Sequence, residues 1–241
     1  AVEPIESSDS EESDFLVTLE GTVLLVEEKT KLDDPNNLAE RRKAREAGQV
    51  YSSSRQLVRH NRLSGLVRKA ASQLASSSSS RAHDLRLIWF TGTGYEAHAL
   101  SEQFIATLYG TTNIIEMDSS VSRRCYFFRN SDFHRYADTI DGAIVAYAVG
   151  DALSAKLCIN PLSPRSSQLR GSPIFTRFKA AVEDPEVLER IGKAFIVFGN
   201  IERHDENALL RALQIKYKTK PLMTFDLGYH AAAVALPTDE R

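Results

Sequence analysis

Sulphur is scarce in this chain and long apolar runs are missing. Of 241 residues only two are cysteines, Cys125 and Cys158, and neither belongs to a Cys-x-x-Cys or Cys/His spacing. That excludes a disulfide framework and a structural zinc site, and a reducing, cytoplasmic setting is expected. The longest apolar candidate, "GAIVAYAVGDALSAKLCI", is broken by Asp151 and Lys156, so it falls short of the roughly 18 to 20 residues that cross a bilayer. A soluble protein is the expectation. The opening "AVEPIESSDSEESD" has neither a basic nor an apolar signal region, which rules out reading it as a secretory signal. Because it begins on Ala rather than Met, the sequence is expected to be a piece of a longer protein.

Basic residues are also missing where they would be unremarkable. From Ala1 to Glu28 every ionisable side chain is acidic: Glu3, Glu6, Asp9, Glu11, Glu12, Asp14, Glu20, Glu27 and Glu28. Between Arg41 and Ala70 the sign reverses, with Arg41, Arg42, Lys43, Arg45, Arg55, Arg59, Arg62, Arg68 and Lys69 against Glu46 alone. The overall formal charge of -2 excludes a uniformly basic coat. The local polarity instead suggests a cation-holding pole beside one that holds a polyanion. A solvated helix face next to an acidic tail is the plain alternative.

What is present is an ordinary globular balance, 42% hydrophobic and 26% charged, enough for one large domain or two small ones. Phe15 to Leu19 and Thr22 to Glu27 read as strands joined by a Glu20-Gly21 hairpin turn. "DDPNN" breaks the chain and caps a helix starting near Leu38. From about Ser54 to Ala75 apolar residues recur at helical spacing, with arginines on the other face. The serine run Ser76 to Ser80 is expected to end that helix as a mobile loop. "LRLIWFTG" is a buried strand and "YEAHALSEQFIATLYG" a helix closed by Gly110. "TNIIEM" and "RCYFFR" read as strands, followed by a helical or mixed region through Leu157. After the turn-rich "INPLSPRSSQLRGSP", a candidate boundary, come a helix near Ile174 to Val182, the strand "AFIVFG", a helix over Asn207 to Tyr217 and the strand "PLMTFDL". The alternation argues for an α/β layered fold with a mixed sheet.

The chemistry is concentrated in "SDFLVTLEGTVLLVEEKTK". In a hairpin turning at Glu20-Gly21, Asp14 falls opposite Glu27, and Lys29 continues the face of Glu27. Two carboxylates and an ammonium therefore converge. Two oxygen ligands suit a hard divalent cation that keeps water elsewhere, and the lysine can serve a water or a phosphate in flight. A salt-bridged strand end exposed to water is the competing structural account.

Asp14 followed by Glu27-Glu28-Lys29 after a short hairpin, with a helix beyond, resembles the PD-(D/E)XK nuclease superfamily. The likeness covers mainly Ser13 to Thr30 and more loosely the chain to Gly92. It implies a restriction-endonuclease-like mixed β-sheet flanked by helices over residues 1–92. Further α/β elements over 93–241 would continue that sheet or form a second lobe. It further implies magnesium or manganese held by Asp14 and Glu27 with help from Glu28, and Lys29 serving the attacking water. The expected reaction is metal-dependent hydrolysis of nucleic-acid phosphodiesters, with DNA the first substrate to consider. Arg55, Arg59, Arg62, Arg68 and Lys69 would hold its backbone, and cutting both strands of a duplex would suggest a homodimer. A defence or repair setting would suit the resemblance. Gln49, Gln56 and Gln73 are equivalent candidates for a supporting glutamine.

Two readings from other classes stand beside this one. The fold can serve as a non-catalytic module that binds nucleic acid or a partner protein. Alternatively, an unrelated α/β domain can bind a nucleotide through "FTGTGYE", whose glycines follow a strand and precede a helix. His134, among Arg129, Asp132 and Arg135, and the Ser163 to Arg170 turn are further clusters suited to phosphate, with surface loops the plainer account.

Overall fold

The structure, a computed structural model, describes residues 1–5, 12–119, 121–149 and 152–233. Glu6, Asp9 and Glu11 of the acidic opening lie outside the described residues. The first strands are β1 (Val2–Pro4), β2 (Phe15–Leu19) and β3 (Thr22–Lys31). Helix α1 (Pro35–Glu46), strand β4 (Tyr51–Gln56) and helix α2 (Asn61–Ser80) lead to β5 (Leu85–Gly92). Helix α3 (Ala97–Tyr109), strands β6 (Thr112–Glu116) and β7 (Ser122–Tyr126), and α4 (Asp132–Arg135) precede the strands β8 (Gly142–Val149) and β9 (Ala152–Ile159). The remainder holds α5 (Ser166–Arg170), α6 (Pro173–Arg177), β10 (Val182–Glu183), α7 (Pro185–Arg190), β11 (Ala194–Ile196), α8 (Glu206–Tyr217), β12 (Leu222–Phe225) and β13 (Gly228–Ala233).

Seven strands form a mixed sheet in the order β1-β2-β3-β5-β8-β9-β10. Its first three strands are antiparallel, β3, β5 and β8 run parallel, β9 is antiparallel to β8, and β10 is parallel to β9. Strands from both sides of Gly92 therefore share this sheet. A second sheet has the order β11-β7-β6-β12, and β4 pairs with β13.

The β2–β3 hairpin forms for a local reason. Glu20 and Gly21 both adopt positive φ, 47° and 83°, the two-residue geometry whose twist matches the strands it joins. The register runs from Leu19↔Thr22 to Phe15↔Val26. Alternation then sends Leu25 into an apolar cluster with Leu63, Val67 and Leu74 of α2 and Phe104 of α3. Leu24 and Val26 point the other way, to Leu87, Ile144 and Leu157. Helices α2 and α3 thus cover the face of β3 that carries Leu25, Glu27 and Lys29. A third cluster lies under α8 on the second sheet.

Several local expectations need correction. Tyr51 to Gln56 is a strand, because the segment alternates half-buried with exposed residues and pairs with β13; the helix begins only at Asn61. The serine run is not a loop but the last turns of α2. Ser78 and Ser79 donate back to the carbonyls of Leu74 and Ser76 (2.6 Å each), satisfying hydroxyls along the helix, while Ser77 is fully buried. The region expected to be helical or mixed through Leu157 is mixed: α4 is its short helical part, and β8 and β9 form an antiparallel strand pair, since a short apolar run has no period that separates helix from strand. Helix α1 starts at Pro35, ahead of Leu38, because Asp34 caps it by accepting from the Asn36 N–H (2.9 Å). The span from Ile174 to Val182 holds only the five-residue α6 and the start of β10.

Glu183 joins the two main sheets electrostatically. It is buried on β10 and accepts from Arg124 of β7 (2.9 Å), from Lys156 of β9 (3.1 Å) and from the Tyr126 hydroxyl. Burial alone would raise its carboxyl, but Arg124 and Lys156 outweigh that and hold it below the ordinary value. Such a group stabilises the fold above the usual carboxylate range and loses that contribution as pH falls through its folded pKa. Replacing it removes one of the two carboxylates that Arg124 and Lys156 share, leaving them only Glu102 (3.0 and 3.9 Å). Glu183→Ala is expected to cost about 1–3 kcal/mol in urea unfolding at neutral pH, whereas a loss near zero would mean that the network is solvated.

Candidate active site

Asp14, Glu27, Glu28 and Lys29 come together where β2 begins and β3 approaches its end. Asp14 lies one step beyond the last ladder pair, and its Oδ2 accepts from the Glu28 N–H (2.7 Å). Lys29 Nζ donates to Glu27 Oε1 and to the Glu28 carbonyl, the latter at 3.1 Å. Glu28 itself faces the opposite side of the sheet, at the edge of an apolar groove with Val26 and Trp89. Its carbonyl, rather than its carboxylate, is thus the group beside Lys29.

The pair is not a strand end in water. Glu27 is 0% exposed and the Lys29 side chain 15%, because α2 covers this face. Burial pushes the Glu27 carboxyl up to about 7. The Lys29 hydrogen bond and charge oppose the rise, the Asp14 carboxylate adds to it, and the Asp14 backbone works against it. Among the described residues Glu27 Oε2 has no hydrogen-bond partner.

Helix α2 braces the segment that carries Asp14. Gln73 Nε2 donates to the Glu12 carbonyl (3.0 Å), and one turn later Ser77 Oγ accepts from the Ser13 N–H (2.7 Å). Arg81 adds an ion pair to Glu12 (3.0 Å). Of the three candidate glutamines, only Gln73 reaches this region: Gln49 and Gln56 are exposed. Ser13 Oγ and Gln73 Oε1 are, like Glu27 Oε2, buried without a partner among the described residues. Unsatisfied polar atoms are rare in folded proteins and gather where a ligand or water belongs. Ser77 and Arg81 carry no motif of their own. Their only sequence signal is the four-residue spacing from Gln73 on one helix face.

A divalent cation fits the donors on a limited set of terms. Among the described residues no three His, Cys, Asp or Glu side chains gather as a metal-binding group. Two carboxylates do converge, one with an unsatisfied buried oxygen, and magnesium commonly binds through one or two carboxylates and keeps its remaining waters.

The five expected backbone-binding residues are not one helix face. Arg55 lies on β4 and is committed to Glu96 and Gln103. Arg59 precedes α2 and contacts Ser64 (2.9 Å) and Asp132 (3.7 Å). Only Arg62, Arg68 and Lys69 stand exposed on α2, with Arg62 3.9 Å from Asp34. Lys31, next on the Glu27–Lys29 face, lines a cavity of about 160 Å³ with Arg55, His60 and Arg62. Burial, then Arg55, Arg62 and Lys31, lower the His60 pKa, so the imidazole reports a cationic environment.

The glycine loop after β5 is already occupied. The Tyr95 and Glu96 N–H groups donate to the Asp33 carboxylate (2.6 and 3.2 Å). A Cβ on Gly94, at φ +91°, would lie 2.3 Å from Asp33 Oδ2, so glycine is needed for this internal closure. A phosphate would have to displace Asp33. Cys125 and Cys158 are buried, and burial raises both thiols, which suits core packing. The aromatic residues of "CYFFR" are buried too. Ser163 donates to Asp141 (2.6 Å) and Arg170 pairs with Asp184 (2.7 Å), so that turn spends its polar groups internally.

No family model, curated protein or solved structure matches this chain. The geometry of the site therefore carries the functional reading. Among the described residues no helix is long and apolar enough to cross a membrane.

Between pH 4.5 and about 7 the folded chain keeps the Glu27 proton that the unfolded chain has released. Stability must therefore fall as pH rises through that window. With chelator present, the loss of unfolding free energy from pH 5 to pH 8 is expected to be about 1–3 kcal/mol larger in the native chain than in Glu27→Gln. Parallel pH profiles for the two proteins would remove Glu27 as the cause.

Proposed function

We propose that the chain is a metal-dependent nuclease with a restriction-endonuclease-like sheet, hydrolysing nucleic-acid phosphodiesters, with DNA the first substrate to test. The observation that carries the reading is the convergence of Asp14, Glu27 and Lys29 across one hairpin, with a buried carboxylate oxygen left unsatisfied. Asp14 and Glu27 would hold magnesium or manganese, with the Glu28 carbonyl beside them. When bound, the ion would supply charge neutralisation at the phosphate and a more acidic water.

The chain's own groups have separable roles. Glu27 must be ionised to accept a cation, and Lys29 favours that form by donating to Oε1. Lys29 also brings a positive charge able to orient the attacking water or to meet negative charge as the P–O bond breaks. The braced Glu12–Ser13 segment fixes Asp14 against the Glu28 amide, which preserves the spacing of the two carboxylates. Arg62, Arg68 and Lys69 offer the backbone contacts, and Lys31 continues the positive potential from Lys29 along the strand.

The complete burial of Glu27 favours a second reading, a module with the same sheet that binds nucleic acid or a partner protein and cuts nothing. The two separate in one experiment, in which plasmid, linear duplex, single-stranded DNA and RNA are incubated with magnesium, manganese or chelator. Metal-dependent cutting that drops by roughly 100-fold or more in Glu27→Ala and in Lys29→Ala is expected. Arg68→Ala should weaken binding evenly across sequences and flatten its salt dependence while leaving the cleavage step intact. Retained binding without cutting by any form would favour the module.

A further inference from the structure

Between the end of β7 and the loop after β11 lies a cavity of about 270 Å³ that shares no residue with the Glu27 site. Arg129, His134, Arg135 and Arg203 line it together with Asn130 and Asn200, and no carboxylate is among its described lining residues. We infer that this cavity is a binding site for a small phosphomonoester, its dianionic phosphate held by Arg129, Arg135 and Arg203.

Charge compensation around the cavity is incomplete. Arg129 is paired with both oxygens of Asp226 (2.8 and 2.9 Å). Arg135 lies 3.8 Å from Asp132, which Arg59 shares at 3.7 Å. Arg203 spends its guanidinium on the backbone carbonyls of Ile201 (2.5 Å) and Gly199 (3.2 Å). Within this group the cations Arg59, Arg129, Arg135 and Arg203 face the anions Asp132 and Asp226, an excess of two positive charges. A phosphomonoester, whose second ionisation falls near pH 6, carries close to two negative charges at neutral pH. A carboxylate would offset only one.

The donor chemistry points the same way. Guanidinium forks match phosphate oxygens with two parallel hydrogen bonds, and the two asparagine amides add neutral donors. Arg203 is partly desolvated, and burial pulls its pKa below the ordinary value, so a neighbouring anion would relieve a cost already present. Phe127, on the cavity wall, sits at φ 57°, a conformation that costs free energy in a bulky residue. Its backbone N–H is held by the Tyr109 carbonyl (2.9 Å), and that of Arg129 by Gly110 (2.8 Å). The strained turn aims the Arg129–Asn130 segment at the cavity. A half-open cavity of about 270 Å³ suits a phosphate carrying a small organic group better than the continuous groove a polymer strand requires.

The test uses ribose 5-phosphate as probe, in calorimetry and in thermal unfolding, against sodium chloride at matched ionic strength. Saturable binding and a rise in melting temperature are expected. Affinity should fall roughly tenfold or more in Arg203→Gln and in Arg135→Ala and stay unchanged in Arg68→Ala. Arg135 is half exposed, so its variant tests the site even if Arg203→Gln fails to fold. A 5′-phosphorylated single-stranded oligonucleotide and its unphosphorylated twin form the second arm. The inference is overturned if ribose 5-phosphate acts no differently from chloride, or if Arg135→Ala binds it as the native chain does. It is also overturned if both oligonucleotides bind there equally well and the small monoester does not.

Discussion

A carboxylate and an ammonium sealed together under a helix set the terms for this site. Removing either charge from water costs several kcal/mol, and their mutual attraction offsets that only when the remaining polar atoms are also satisfied. At Glu27 they are not, since one oxygen is engaged by Lys29 and the other by none of the described residues. Alternation along β3 forces the placement. Leu25 must face α2 and α3 to complete the core, and every second residue after it then faces the same side. The hydrophobic demand of the sheet therefore drives Glu27 into a position that a valine would fill at less cost, and the proposed cation is what would make glutamate the better choice.

The two buried glutamates separate structure from chemistry. Glu183 is surrounded by Arg124, Lys156 and the Tyr126 hydroxyl, its carboxyl is held low, and it ties β10 to β7 and β9. Glu27 has one cation and a neighbouring like charge, and its carboxyl is pushed up. A fully compensated buried acid strengthens a fold, whereas an undercompensated one stores a preference for a ligand or a proton. The brace from Gln73 and Ser77 extends this contrast, because it stabilises the approach to Asp14 while leaving Gln73 Oε1 and Ser13 Oγ unsatisfied.

The hairpin, its turn and the facing of Leu25, Glu27 and Lys29 were legible in the sequence because turn chemistry and period-two alternation are local. The mixed α/β character followed from the same signals. Burial of Glu27 was not legible: nothing between Asn61 and Ser80 says which strand the helix covers. Arg55 was misplaced because the last three residues of β4, Ser54 to Gln56, run straight into the helical pattern, and only pairing with the distant β13 makes them a strand. The serine run shows the same limit, since its helical state depends on back-bonded hydroxyls and on Ser77 finding Ser13. In the loop after β5 the glycines were visible, but Asp33, sixty-odd residues upstream, decides what their N–H groups bind.

The most direct test follows the side-chain carboxyl carbon of Glu27 by nuclear magnetic resonance across pH, using isotope-labelled glutamate and Glu27→Gln for assignment. Without divalent cations the midpoint should lie near 7, and magnesium should draw it down, because a bound cation favours the ionised form. A midpoint close to the ordinary 4.5, unmoved by magnesium, would contradict both the strained carboxylate and the metal site built on it.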